Sequence, residues 1–386
     1  MAIKAAESAM LIRKHYRAAA LQVKRQMRLR RLRAFSIAAV LATALASIAT
    51  GSIASAATIT QPVPGTFGLN SIACPTAGTC EAVGVSSSLQ SGVVVTVSGG
   101  SPGSPVPVTA TQQLTGISCP SATLCEAVGF AAIGNSDEGV VTQIVNGAPS
   151  DTQVVPGTNT LTAVTCAAVT ACVAVGYSVD SSSHEADGVV VPVDNGVPGS
   201  AEPVPGVNPL YGIACPSQAT CYAVGDTEMA VGAPTSEAGI LLPIANGVPQ
   251  TATEVPTTEA LIGVACPRKK VCFATGVSPT AEGAIVRVNN GKPKKTATII
   301  PEAQQLNDAA CASSRLCVAV GNTSSNAQGI AVPFVNGKPG KPQGIDGTYS
   351  FNGISCPTSS ACEAVGVSTA GNSYEGVVVT ISVNGT

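Results

Sequence analysis

The chain has no tryptophan, few aromatic residues of any kind (3%), only 11% charged residues, and two histidines in 386 residues. One of the two, His15, lies in an N-terminal stretch that reads as a removable leader, so residues 57–386 hold His184 alone. A histidine dyad repeated around the chain and a multi-histidine metal centre are thereby excluded. No strong helical period runs through the chain, and no Ser, His and Asp set or phosphate-cradling glycine loop stands out. Lysine and arginine are missing altogether from Ala57 to Pro267, where 15 acids stand. Residues 57–386 carry 10 basic and 21 acidic side chains, a balance that speaks against nucleic acid as a partner, because such binding needs a basic surface to displace phosphate counterions.

What is abundant is apolar and small. Apolar residues make up 45% of the chain, beside 40 Gly, 27 Pro and 14 Cys. That content is enough to bury a large core and argues against wholesale disorder.

The N-terminus divides into three zones. Ten of the 20 bases fall within residues 1–33, against the single acid Glu7; an uncharged run follows from Ala34 to Thr50, and then the small residues Ala54, Ser55 and Ala56. A basic n-region (1–33), an apolar h-region (34–50) and a small-residue cleavage site are the order of a secretory signal peptide, with the cut expected after Ala56. The apolar run, short and rich in Ala, is weak for a membrane span, so a membrane is a partner only if this segment stays uncleaved. Met27 offers a second start of ordinary signal length in place of Met1, and Arg30–Arg31 is a weak twin-arginine match that leaves Sec and twin-arginine export both open. No cysteine precedes Cys74, so no thiol is available for lipid attachment near the cut. The expected product is a soluble, extracellular domain of residues 57–386, monomeric and either free or associated with the cell wall or surface.

Self-similarity dominates that domain. A unit typified by LTGISCPSATLCEAVGF (Leu114 to Phe130) and, after a variable loop, EGVVTQIVNGAP (Glu138 to Pro149) recurs seven times, with first cysteines 45, 47, 49, 51, 45 and 45 residues apart. Each unit reads as four short strands: L-x-x-I-x-C, C-x-A-V-G, G-V-V-V-x-V, and a fourth after an N-G-x-P turn. The Asn-Gly pairs beginning at Asn146, Asn195, Asn246, Asn290 and Asn336 supply the positive φ angles of a tight hairpin. A lone four-stranded sheet cannot bury both faces until it stacks on its neighbours, so repeats of this length and strand count predict an all-β, seven-bladed β-propeller. The last unit stops at Asn384–Thr386, where a fourth strand should begin, while Thr58–Thr66 resembles the fourth-strand segment around Glu202–Gly206. The N-terminal strand is therefore expected to complete the last blade and leave no open sheet edge. Small residues recur in the first strand at Ser71, Gly116, Ala163, Gly212, Gly263 and Gly353, which marks it as the innermost strand, at the crowded axis.

All 14 cysteines form C-x5-C pairs, one per unit: Cys74 with Cys80, Cys119 with Cys125, Cys166 with Cys172, Cys215 with Cys221, Cys266 with Cys272, Cys311 with Cys317, and Cys356 with Cys362. One pair per repeat in an exported chain points to disulfides stapling the hairpin between the first two strands. Metal binding is the rival reading, which this spacing and the missing histidines disfavour. No cofactor is implied.

Three sets of residues could carry function. Asp308 is the only charged residue at the small inner-strand position, hence a candidate channel carboxylate for catalysis or ligand binding, without an equivalent partner acid. Asp180, His184, Glu185 and Asp187 share one loop and are candidate cation ligands, although their spacing is not that of a calcium loop. Arg268, Lys269, Lys270, Lys292, Lys294 and Lys295 form a candidate anion-docking patch, within a basic sector that is confined to the fifth and sixth units and also holds Arg287, Arg315, Lys338 and Lys341.

The recurring L-x-x-I-x-C-P-x-x-x-x-C-x-A-V-G resembles the repeat of secreted actinobacterial propeller proteins and is distantly similar to kelch-type and sialidase-type propeller repeats. The resemblance covers Ala57 to the C-terminus and implies the fold and export, with no activity. The chain departs from better-known forms in lacking tryptophan and the sialidase Asp-box, and a streptogramin-cleaving lyase, which would need histidine, fits poorly a domain whose one histidine is His184. The reading that follows is a secreted, non-catalytic propeller that binds an extracellular protein or cell-wall glycan through its loops. The alternatives are a carbohydrate-active hydrolase or lyase with carboxylates at the channel mouth, and a structural surface protein.

Overall fold

Each repeat folds as its own antiparallel sheet. The computed structural model describes residues 52–53, 59–134, 136–179, 186–227, 237–324, 328–368 and 373–384, and among them every element is a strand or turn. Blade 2 shows the plan: an inner strand Gln113–Ser118, a second strand Leu124–Ile133, a third Ser136–Val145 and an outer strand Ala148–Val155. In the other blades the outer strand is broken into two pieces, such as Lys338–Pro339 and Gln343–Ile345 of blade 6. In blades 1 and 3 to 6 the break follows an x-Pro pair, and in blade 2 Ala148–Pro149 leaves a register shift in its place. Proline has no N–H to give the ladder, and a sheet tolerates it only at such an edge.

The third strands carry runs such as Val93, Val94 and Val95, all of them buried, because a blade is covered on both faces. Seven hydrophobic clusters fill the molecule, and each is a seam between two blades. Val128 and Val141 of blade 2 pack with Leu161, Ala174 and Val191 of blade 3, for example. The clusters are drawn from neighbouring blades together, as expected for a repeat that buries its apolar surface by stacking.

The C-x-A-V-G glycine has a steric cause. Every inner strand holds a bulge, where the register slips by one residue at Asn70, Thr115, Thr162, Tyr211, Ile262, Asn307 and Asn352. A bulge bends its strand and re-aims the extra side chain. Here the bend brings the inner-strand backbone over the facing glycine, so a Cβ on Gly276 would collide with the carbonyl of Ala260 and lie 2.9 Å from Leu261 Cα. The re-aimed side chains stitch blade to blade: Asn70 Nδ2 donates to Leu114 O, Asn307 Nδ2 to Phe351 O, and Asn352 Nδ2 closes the circle onto Leu69 O.

The predicted closure is present. Ile59–Val63 pairs antiparallel with residues 376–380 of the last blade's third strand, Glu375–Asn384. Thr66 fixes the joint: its hydroxyl donates to Val63 O and accepts from Gly376 N–H, as Thr111 does for Val108 and Gly92 in blade 1. Ser52–Ile53 pairs with Asn384 and Val383, as Lys338–Pro339 pairs with Val335 and Phe334 in blade 6. Residues 52–53 and 383–384 thus meet beside the position where other blades carry their Asn-Gly turn. A cut after Ala56 would remove this two-residue bridge and keep the longer strand. The rest of the expected leader lies outside the described residues.

Candidate functional site

Strand alternation gives the ring two unlike faces. One carries the turns that lead from each outer strand into the next blade, together with the variable loops between second and third strands. The other carries the cysteine hairpins and the Asn-Gly turns. All seven predicted disulfides are formed and no described cysteine is free. Asn146, Asn195, Asn246, Asn290 and Asn336 all have positive φ, as does the glycine after each.

On the loop face, ring closure assembles an aromatic cluster from both ends of the chain. Phe67 starts the inner strand of blade 1, Tyr349 lies in the turn entering blade 7, and Tyr374 lies at the end of that blade's variable loop. The Tyr374 ring is 5.6 Å from both Phe67 and Tyr349, tilted against the first and edge-on to the second. Tyr374 is 48% and Tyr349 38% exposed, whereas among the described residues Phe273, Phe334 and Phe351 are fully buried and Phe130, Tyr177 and Tyr211 are half-buried. Residue-by-residue reading missed this cluster, because its members are separated by most of the chain. The signal that could have found it was the closure already inferred, followed by asking which rings it brings together.

A second feature of this face lies at blade 4. The Tyr211 hydroxyl donates to Asp226 Oδ2 at 3.1 Å, and Asp226 is only 5% exposed, with no hydrogen-bond partner for Oδ1 among the described residues. Burial, reinforced by Glu237 and Glu259 and opposed by Tyr211 and Asn208, pushes the Asp226 carboxyl up to about 6. Burial and the Asp226 charge push the Tyr211 phenol up in turn. Such a carboxyl can hold or release a proton near neutrality.

Asp308, the carboxylate singled out in the sequence, sits in the seam between blades 6 and 7. Its Oδ1 accepts from Ala309 N–H at 2.8 Å and its Oδ2 from Ile354 N–H at 3.0 Å, so both oxygens are taken by backbone amides. Burial raises its pKa to about 7 against those two bonds. Of the candidate cation ligands, Asp180, His184 and Glu185 lie outside the described residues, and Asp187 lies in the third strand of blade 3, Ala186–Asp194, paired with Ser178. Among the described residues no group of three or more metal-ligating side chains comes together.

The patch residues Arg268, Lys269 and Lys270 are exposed in the cysteine hairpin of blade 5; Lys292, Lys294 and Lys295 are exposed along the broken outer strand of the same blade. Arg268, Lys269, Lys270 and Lys292 stand on the disulfide face, and Lys294 and Lys295 follow at the break in the outer strand, where Lys295 O accepts from Thr257 Oγ1.

No protein-family model and no curated protein matches the chain. Solved structures do share its fold. Kuenenia stuttgartiensis hydrazine synthase superposes with a TM-score of 0.56 at 12% identity, over 82% of this chain and 99% of that one. The WD40 β-propeller domain of Doa1 gives 0.52 at 8% identity, over 83% and 95%. YCF48 bound to a D1 peptide gives 0.50 at 11% identity, over 86% and 99%. At such identities the likeness shows the fold alone, and the fold hosts many unrelated functions.

Proposed function

We propose that the chain is an exported, non-catalytic recognition module that holds an extracellular protein against its loop face, with Phe67, Tyr349 and Tyr374 as the anchor. The observation that carries this reading is the exposed ring cluster. Tyrosine offers large contact area at low entropy cost and is enriched among the residues that dominate interface energetics. Variable loops on a rigid, disulfide-stapled frame are where such scaffolds place recognition. YCF48, a structural neighbour, is itself bound to a peptide, which supports a peptide-like contact here.

The test is a display selection of random peptides on immobilised, oxidised protein, repeated with Tyr349→Ser/Tyr374→Ser. Peptides that enrich on the parent and are lost on the variant, at unchanged melting temperature, support the anchor. Equal enrichment on both would overturn it. N-terminal sequencing of secreted material, expected to begin at Ala57, tests export. A second reading, carbohydrate cleavage, is favoured only by Asp226 and its near-neutral carboxyl. Released sugar from polysaccharide fractions, abolished by Asp226→Asn, would replace the binding reading with that one.

A further inference from the structure

The disulfide face of blades 5 and 6 differs from the rest of the molecule in charge. All ten bases of residues 57–386 are in these two blades. Blade 5 holds the six patch residues and Arg287. Blade 6 adds Arg315 in its cysteine hairpin, and Lys338 and Lys341 at its outer strand. Nine of the ten are exposed, and none makes an ion pair among the described residues. Glu259, Glu282, Glu302 and Asp346 belong to turns at the opposite end of the strands, and Asp308, seven residues before Arg315, is held by the amides of Ala309 and Ile354. These bases are therefore not neutralised by ion pairs among the described residues.

The seam between the two blades does not interrupt it. Arg287, in the third strand of blade 5, donates from Nε to Asn289 Oδ1 at 3.0 Å and from Nη1 across the seam to Asn336 O at 3.3 Å. Its guanidinium ties together the two Asn-Gly turns that carry the lysines. The Cys266–Cys272 and Cys311–Cys317 bridges fix the two hairpins between them. The result is a broad, rigid platform of backbone bearing flexible charges.

The chemistry of those charges narrows the partner. Seven of the ten are lysines, compact point charges without the fork that reads a carboxylate bidentately, and one of the three arginines is engaged in the seam. Point charges spread over two blades match a chain of evenly spaced phosphates better than a single carboxylate. Nucleic acids present phosphates too, but single strands also need aromatic side chains to stack their bases, and the rings of these two blades, Phe273 and Phe334, are buried at 1% and 0% exposure.

We propose that the disulfide face of blades 5 and 6 docks an extended phosphodiester polymer that lacks bases. This surface lies opposite the aromatic cluster, so one molecule could hold a protein on one face and a polyanion on the other. The test is binding of the oxidised protein to bead-linked poly(glycerol phosphate), with polyglutamate, single-stranded DNA and phosphatidylglycerol vesicles as parallel arms. Affinity for the poly(glycerol phosphate) should fall steeply with salt, as counterion release requires, and by roughly tenfold or more in Lys269→Ser/Lys270→Ser/Lys294→Ser/Lys295→Ser, with a shallower salt slope. The melting temperature of that variant should match the parent, because all four lysines are exposed. Tyr349→Ser/Tyr374→Ser should leave this binding unchanged. Equal affinity for polyglutamate, tighter binding to DNA or vesicles, or retention by the four-lysine variant would each overturn the proposal.

Discussion

Two sectors of the disulfide face solve one packing problem with opposite chemistry. In blades 1, 4, 5 and 7 the residue after the second cysteine lies beneath the hairpin turn of the following blade, and in blade 2 its partner Gln143 does. In blades 1, 2 and 7 it is Glu81, Glu126 or Glu363, and in blades 4 and 5 it is Tyr222 or Phe273. Glu81 and Glu363 each accept from a threonine hydroxyl, Thr96 and Thr380, on both carboxylate oxygens, while Glu126 accepts from Gln143 Nε2 at 2.7 Å. Phe273 instead packs edge-on against Phe334, with centroids 5.1 Å apart. What stays constant is the roof: a Cβ on Gly147 would lie 2.7 Å from Thr96 Oγ1, and one on Gly337 2.7 Å from Phe273 Cε1. The turn demands a residue without a side chain, whereas the filling beneath it is negotiable so long as it is either apolar or hydrogen-bonded.

The comparison breaks most sharply at the ring itself. Phe273→Ala empties a fully buried site and should cost about 3–5 kcal/mol. Glu81→Ala at the equivalent position removes a carboxylate that burial has already made uncomfortable, and should cost about 1 kcal/mol or less at neutral pH. Urea denaturation of the two variants, with bridges oxidised, reads the contrast directly. Equal losses would mean that the two fillings are equivalent.

A glycine pair should show the reverse, no contrast at all. Gly84 and Gly276 face the inner-strand bulge in the polar and aromatic sectors respectively, and a Cβ on either would lie 2.8 or 2.9 Å from the Cα of the facing leucine, Leu69 or Leu261, as well as colliding with a carbonyl. Because both obstacles are backbone, Gly84→Ala and Gly276→Ala should each cost about 1–3 kcal/mol or somewhat more. A large difference between them would show that the seam filling, rather than the bulge, sets the tolerance.

These positions also mark what was legible in the chain. Seven blades, the disulfides, the inner strand and the closing strand were readable because each rests on letters that recur: the cysteine pair, the small inner residue, Asn-Gly, and a fourth strand missing from one end and present at the other. The C-x-A-V-G glycine was visible as a pattern, but its cause, the bulge at Asn70 and its equivalents, was not, because the bulged residue varies among Asn, Thr, Tyr and Ile. Asp308 stood out as an exception within a column, yet which groups meet its carboxylate depended on the neighbouring blade's Ile354. Tyr211 with Asp226 and the cluster at Tyr374 arise from contacts across strands and across the closure, which no local spacing encodes.

Proton linkage sharpens the comparison further. Burial raises the pKa of Glu81, Glu126 and Glu363, with Thr96, Gln143 and Thr380 opposing it, and raises Asp226 to about 6 and Asp308 to about 7. An acid whose folded pKa lies above its unfolded value favours folding below the unfolded pKa and loses that advantage as pH rises toward the folded one. Stability should therefore decline as pH rises from about 4 to about 8, with the Asp308 share lost last. The Phe273–Phe334 contact itself holds no such group. Glu81→Gln/Glu363→Gln should flatten the part of the decline that begins at 4.5, and Phe273→Leu should leave the shape of the profile unchanged. A parent profile that rises with pH over this range would contradict the burial assigned to these carboxyls.

The smallest expected effect isolates one oxygen. Glu126 is 1% exposed, and its Oε2 is buried without a hydrogen-bond partner among the described residues, whereas both oxygens of Glu81 accept from Thr96. An unsatisfied, charged oxygen in a seam is the costliest form of the polar filling. Glu126→Gln keeps the shape, removes the charge and reverses the donor requirement at a single atom, so it should stabilise the fold by about 1 kcal/mol at pH 8. At pH 4, where the parent carboxyl is already protonated in the fold, the gain should vanish. Glu81→Gln, in which both oxygens were satisfied, should gain less at pH 8. If the two variants gain equally, the orphaned oxygen carries no special cost, and desolvation of the charge alone distinguishes the polar sector from the aromatic one.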